Sequence, residues 1–278
     1  MSTAIVTDST CDLPAELIAQ HHIEVVCQHI LWGGQSYKDG IDIGGASFYE
    51  RLAREPELPK TSQPSPNEFA DAYRRARENN NADSVVCITI SKHLSGTYNS
   101  AEAGRALVDF PVVVIDSRNV TMALGLIVLA AAEASQRGAS ADEIVQVANQ
   151  AADKAHVFFA VNVLEFLHRG GRIGNAQRLI GTALSIKPIL TVRDGKVHSA
   201  ETVRTRKRAL ARMVDLARCV ESGTVQASVI VGGADDADAL ANDVQLALSP
   251  VRLLRATLCT TLGVHTGPGV VGVAVLGV

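Results

Sequence analysis

The chain opens on a repeating pattern: a short apolar run, a polar or glycine-bearing loop, then a stretch with helical periodicity. Residues 4–7 form the first run and predict a strand leading into Asp8-Ser9-Thr10-Cys11-Asp12, with Pro14 in the first turn of the next helix. Residues 25–31 form a second run that closes at Gly33-Gly34. Residues 84–90 form a third, ending at Ser91, and residues 112–115 a fourth, ending at Asp116-Ser117. Ser47 with Glu50, Ser65 with Glu68 and Ser140 with Glu143 have capping-box spacing, so each pair predicts a helix start. Residues 122–132 are apolar on every side and predict a helix packed into a core. Strands alternating with helices predict a mostly parallel sheet covered on both faces.

The pattern changes near residues 151–156. Residues 157–163 predict a strand, and residues 189–192 and 196–203 a hairpin turning at Asp194-Gly195, a pair that supplies the positive φ of a tight turn. A basic helix, a strand over 226–231 ending at Gly232-Gly233 and another helix follow. The expected fold class is α/β in two domains, in keeping with 278 residues. Residues 1–157 form an amino-terminal mostly parallel sheet with helices on both faces. Residues 158–278 form a carboxyl-terminal α+β domain with an antiparallel or mixed sheet. Residues 256–278 lack any Asp, Glu, Lys or Arg, a length that raises a membrane span. Gly263, Gly267, Pro268, Gly269, Gly272 and Gly277 interrupt it, so two buried strands joined by a polar loop are expected, and no integral membrane segment. The first residues carry no basic region followed by an apolar one, so a cytoplasmic location is expected.

Composition narrows the partners. Aromatic residues are only 4%, which leaves no stacking surface for single-stranded nucleic acid and assigns the core to Val, Ile, Leu and Ala. Residues 169–212 hold eleven Lys or Arg against Asp194 and Glu201, a net +9 that leaves −12 for the rest of a chain whose total is −3. Such a patch attracts an anionic ligand or an acidic protein, and with few aromatics a protein partner is expected over nucleic acid. The basic run 204–208 reads as a solvated helix face. The five cysteines, at 11, 27, 87, 219 and 259, never form C-x-x-C, so buried reduced thiols are expected and no metal site.

Open parallel sheets bind ligands at the carboxyl ends of their strands, which directs the search for chemistry. Asp8-Ser9-Thr10, Ser95-Gly96-Thr97 and Thr61-Ser62-Gln63-Pro64-Ser65-Pro66 are the polar segments there. The Ser95 hydroxyl beside the Gly96 N–H suits an anion, and equally an ordinary helix cap. Arg169-Gly-Gly-Arg172 sets two guanidiniums on a permissive backbone, as phosphate recognition or a solvated loop would. His265 sits among glycines and proline in an expected loop, a setting for a catalytic or binding histidine. The chain has no G-x-S-x-G elbow, Walker loop, G-x-G-x-x-G after a strand or H-E-x-x-H, so no cofactor is expected.

Taken in order, the segments resemble the DegV family. The matching pieces are Thr7-Asp8-Ser9-Thr10 with Asp12-Leu13, Tyr37-Lys-Asp39-Gly40-Ile-Asp42, Thr61 to Pro66, and Leu94-Ser95-Gly96-Thr97-Tyr98. They continue with Asp116-Ser117, Leu167-His-Arg169-Gly170-Gly171-Arg172-Ile173, Ile186-Lys187-Pro188-Ile189-Leu190 and His265-Thr-Gly267-Pro268-Gly269. The resemblance implies a two-domain protein that encloses a long-chain fatty acid and has no catalytic residues of its own. It implies that Thr61 and Ser95 bond the carboxylate, with Ser62 and the Gly96 N–H nearby and Arg169 and His265 close to the head group. It also implies a separate ATP-binding subunit of a bacterial fatty-acid kinase, which phosphorylates the lipid to an acyl-phosphate for phospholipid synthesis. The alternative is a self-contained hydrolase or transferase that uses His265.

Overall fold

The computed structural model describes residues 2–181, 186–220 and 223–278. The chain begins with β1 (Thr3–Asp8), α1 (Ala15–Gln20), β2 (Glu24–Val26), β3 (His29–Trp32) and β4 (Gln35–Lys38). It continues through α2 (Gly45–Arg54), β5 (Lys60–Ser62), α3 (Pro66–Asn79), β6 (Ser84–Thr89), α4 (Thr97–Arg105), β7 (Val112–Asp116), α5 (Thr121–Gln136) and α6 (Ala141–Lys154). The second half holds β8 (Ala155–Ala160), α7 (Glu165–Arg169), β9 (Lys187–Arg193), β10 (Lys196–Val203) and α8 (Arg206–Val220). It ends with β11 (Val225–Gly232), α9 (Ala237–Leu248), β12 (Arg252–Thr257), α10 (Thr260–Thr266) and β13 (Val270–Gly277).

Among the described residues these strands form three sheets. A parallel sheet runs β2-β1-β6-β7. A six-stranded sheet runs β10-β9-β8-β13-β11-β12 and is antiparallel except for the β11–β12 pair. The fold class is thus the expected one, a parallel α/β part followed by a mixed sheet with helices. β8, which spans the expected 157/158 boundary, lies wholly in the six-stranded sheet. The third sheet, antiparallel β4-β3-β5, is not foreseen by the apolar pattern, because its strands are only three or four residues long.

Five layers stack. Helices α3 and α4 pack on one face of the parallel sheet through Phe69, Tyr73 and Ala101. Helices α5 and α6 cover its other face and one face of the six-stranded sheet, whose far face carries α8 and α9. Helix α5 therefore has a sheet on either side, which explains its composition: Met122, Leu124, Leu126, Ile127 and Leu129 are all fully buried. A helix without a solvent face needs no polar stripe. Its one acid, Glu133 in the last turn, accepts from Arg252 of β12 at 2.7 Å. One core joins the two sheets, with Ile88 of β6 and Val157 of β8 in the same cluster.

Local signals fare unevenly. Ser65 and Ser140 form full capping boxes with Glu68 and Glu143, and Pro66 takes the first helical position of α3. The box expected at Ser47 does not form. Helix α2 starts two residues earlier, at Gly45, and the Ser47 hydroxyl turns back to donate to the Gly44 carbonyl. The run 25–31 is two strands in different sheets, broken at Cys27-Gln28 because the Gln28 side chain is drawn into a buried polar network. Residues 256–278 are not two strands and a loop: α10 occupies the middle, and His265 lies on it. Among the described residues no helix is long and apolar enough to cross a membrane. Arg206 is not a free surface charge, since it ion-pairs with Asp236 and donates to the Gly269 carbonyl at 2.8 Å. All five cysteines are free, yet only Cys11 and Cys87 are buried, and Cys219 is exposed.

Candidate functional site

A cavity of about 880 Å³, its mouth included, lies where the three sheets meet. Its deep walls are Val157 and Phe159 of β8, Ile230 of β11, and Val270 and Gly272 of β13. Gly272 is a glycine inside a strand, where a Cβ would come 3.0 Å from the Phe158 carbonyl. Leaving it out widens the cavity against the sheet. Leu94, Val120, Leu167, Leu258 and Leu262 complete an aliphatic chamber.

One end of this chamber is polar, and chain segments far apart in sequence build it. Thr61 and Ser62 end β5, and Ser95 stands just before α4. The two segments touch through Gly96, the residue that caps α4, where a Cβ would lie 2.8 Å from Gln63 Nε2. The Ser95 hydroxyl is 2.8 Å from the Thr97 hydroxyl, which accepts from Gln28 Nε2 at 2.9 Å. Gln28 in turn donates to Asp8, a fully buried carboxylate that also accepts from the N–H groups of Thr10 and Ile90 at 3.0 and 2.8 Å. Burial raises the Asp8 pKa, and these donors pull it back. The head of the chamber thus rests on a buried hydrogen-bond chain running from Asp8 to Ser95.

His265 faces this wall from α10, its Nε2 at 2.9 Å from the Thr61 hydroxyl. Burial first and the nearby Arg172 second push the imidazole pKa down to about 4, so the ring is neutral at physiological pH. Its Nδ1 is sealed from solvent and has no hydrogen-bond partner. Gly170 makes this possible, because a Cβ there would lie 2.2 Å from Nδ1. The Arg169-Gly-Gly-Arg172 glycines therefore do separate jobs: Gly170 admits the histidine ring, and Gly171 takes φ +70° in the turn. Arg172 lines the cavity, donating to the carbonyls of Leu94 at 3.1 Å and Gly170 at 2.6 Å. Arg169 stands outside it, on an adjoining pocket shared with Thr61, Arg172 and His265, and bonds Glu165 at 2.5 Å.

Of the six residues singled out in the sequence, Thr61, Ser62, Ser95 and His265 line the cavity, Gly96 adjoins it, and Arg169 lines only the neighbouring pocket. Thr10, part of a polar strand-end segment singled out in the sequence, also lines the cavity, whereas Gln28, Thr261 and the lining role of Arg172 were missed. Gln28 carried a signal, as an isolated amide inside an apolar run. Thr261 carried none, and its buried hydroxyl also lacks a partner.

Hydroxyls, a neutral imidazole and one guanidinium at the end of an aliphatic chamber suit an amphipathic anion with a long apolar tail. Thr61 and His265 also have the spacing of a nucleophile and its base. A triad needs a third group on Nδ1, and here Nδ1 is unpartnered. Among the described residues no group of three or more His, Cys, Asp or Glu is placed to hold a metal ion.

Comparison with known proteins agrees with this geometry. A family model described as "Uncharacterised protein, DegV family" matches residues 2–277. A DegV domain-containing protein of Deinococcus radiodurans is 40% identical over 281 residues, covering 99% of this chain and 98% of that one. A DegV family protein from Thermus thermophilus, solved for its fatty-acid binding, superposes with a TM-score of 0.94 at 34% identity, over 100% of both chains. A stearic-acid-binding protein from Eubacterium ventriosum superposes with a TM-score of 0.90 at 29% identity, over 99% of this chain and 98% of that one. With the match running from end to end in both sequence and fold, the chain belongs to the DegV family.

Proposed function

We propose that this protein binds one long-chain fatty acid in the aliphatic chamber and presents its carboxylate to a separate ATP-binding kinase subunit for phosphorylation to an acyl-phosphate. The observation that carries the reading is the aliphatic chamber ending in Thr61, Ser62, Ser95 and a neutral His265. Burying a 16-carbon chain at about 0.8 kcal/mol per methylene contributes on the order of 12 kcal/mol before association costs. A carboxylate is expensive to bury unless hydrogen-bonded, and each bond to it contributes about 1.5–3 kcal/mol. Hydroxyl donors and the Gly96 N–H orient the head group while leaving an oxygen nucleophilic, which a tight salt bridge would not.

The mouth is where a phosphoryl group would arrive. Arg169 is 60% exposed there and pairs with the surface residue Glu165, a weak solvent-screened contact, so its guanidinium can turn to an incoming phosphate. Lipid binding and phosphorylation are therefore expected to separate. Arg169→Ala keeps palmitate affinity, measured by calorimetry on lipid-stripped protein, and slows acyl-phosphate formation with the kinase subunit. Undiminished phosphorylation in that variant removes Arg169 from the account. Turnover of acyl esters or acyl-phosphates by the chain alone would favour the hydrolase reading instead.

A further inference from the structure

Helix α10 supplies Thr261, Leu262, His265 and Thr266 to the cavity, yet it is only seven residues long. A helix that short does not hold itself in place, so its attachments decide where His265 stands. Its cap residue, Cys259, makes no side-chain capping bond. The caps come from the other half of the chain. Asp12 Oδ1 accepts the Cys259 N–H at 2.9 Å, and Asp39 Oδ1 accepts the Thr260 N–H at 3.0 Å.

Both carboxylates are themselves fixed. Asp12 follows the turn after β1 in the left-handed region, φ 53°, is 7% exposed, and takes the Thr121 hydroxyl on its second oxygen. Asp39 follows β4, is 2% exposed, and takes the Ser9 hydroxyl at 3.0 Å on its second oxygen. The Asp39 N–H also donates to the Gln28 carbonyl at 2.9 Å, which ties this clasp to the residue that supports Ser95.

We propose that Asp12 and Asp39 are positioning residues for the head-group site: together they hold the amino end of α10 and set the depth at which Thr261 and His265 enter the cavity. A slip of about 0.5 Å along the axis, a third of the helical rise per residue, takes the Thr61–His265 contact beyond good hydrogen-bond length. The role rests on the fatty-acid reading only for its consequence, not for its geometry. It gives a purpose to Asp12 and Asp39, which do not themselves line the cavity.

The test uses the full chain stripped of lipid, with the His265 ring followed by NMR against pH and assigned with His265→Gln. Asp39→Ala removes one carboxylate, and Asp12→Gly removes the other at a backbone conformation that glycine adopts freely. In each, the ring pKa climbs from about 4 toward the ordinary 6.5. Palmitate affinity, measured by calorimetry, falls about tenfold or more, and Asp39→Asn, which keeps an acceptor oxygen, stays within about threefold of the parent. Thr260→Pro cuts the same bond from the helix side and leaves both carboxylates in place. Proline is tolerated at a first helical position, and Cys259, at φ −63° and ψ 159°, already has the conformation a residue before proline requires. It moves the ring pKa in the same direction and serves if an aspartate variant does not fold. An unchanged ring pKa in folded Asp39→Ala and Thr260→Pro overturns the positioning role. If the parent takes up no palmitate while the ring pKa still moves, the positioning role stands and the fatty-acid reading falls.

Discussion

The two polar walls of the chamber are built on opposite plans. The wall formed by Ser95 is anchored: Asp8, Thr10, Gln28 and Thr97 form a buried chain in which each group has a partner. The facing wall on α10 keeps polar atoms in reserve, since neither Thr261 Oγ1 nor His265 Nδ1 has one. Buried polar groups are normally paired, and an orphan costs about 1–3 kcal/mol; of the four such side-chain atoms among the described residues, these two belong to residues that line the cavity, while Tyr49 Oη and Ser228 Oγ lie elsewhere. The anchored wall supplies geometry, and the unpaired wall supplies polar capacity that the fold itself does not consume.

The sharpest break of this contrast is at the anchored wall. Asp8→Ala strands the donors of Thr10, Gln28 and the Ile90 N–H in a fully buried site, and a loss of about 3–5 kcal/mol is expected in urea unfolding. On the opposite wall, Gly170→Ala drives a methyl against His265 Nδ1. The ring must leave, at an expected loss of about 1–3 kcal/mol in stability together with the loss of its contact to Thr61, read from the His265 ring resonances.

Acidity offers a finer separation. His265 is held neutral down to about pH 4, against 6.5 for an ordinary histidine, chiefly by burial. Its contribution to stability is complete above pH 6.5 and is lost as the pH falls toward 4. Asp12 works in the opposite sense. Burial pushes its pKa up from 3.8 to about 7, so its contribution is complete below 3.8 and is lost as the pH rises through 7. Each effect is on the order of 3–4 kcal/mol, and between pH 4 and 6.5 they oppose one another. Relative to the parent, His265→Gln is expected to make stability fall more with rising pH, and Asp12→Asn to make it rise more, in denaturant midpoints taken across that window. Parallel curves would show that neither group is perturbed.

The smallest expected effect is at the unpaired wall. Thr261→Val removes a hydroxyl that bonds to nothing in the protein, so the lipid-free fold should be unchanged or about 1 kcal/mol more stable by thermal unfolding. A loss above that range would mean that the hydroxyl is engaged and the contrast between the walls is overstated.

These walls also differ in how well the sequence announces them. Ser95, Gly96 and the Thr61 segment lie at strand ends and helix starts, where local spacing is informative, and the boxes at Ser65 and Ser140 form as read. Helix α10 was invisible. Its seven residues, three of them Thr, carry no amphipathic period, and its caps come from carboxylates 247 and 221 positions away. The same non-local logic separates Arg169 from Arg172. Identical residues flank two glycines, and only the packing of His265 onto Gly170 decides which one turns inward. The expected fold class followed from the strand–helix alternation, whereas the small β4-β3-β5 sheet that carries Thr61 lacked enough residues per strand to leave a pattern.

The most direct test of the account is native mass spectrometry of the purified protein, followed by denaturing extraction and lipid analysis. One long-chain fatty acid per chain, lost or greatly reduced in a folded Thr61→Ala/Ser95→Ala variant, is the predicted result. A parent protein that carries no lipid and takes up none when palmitate is added would contradict it.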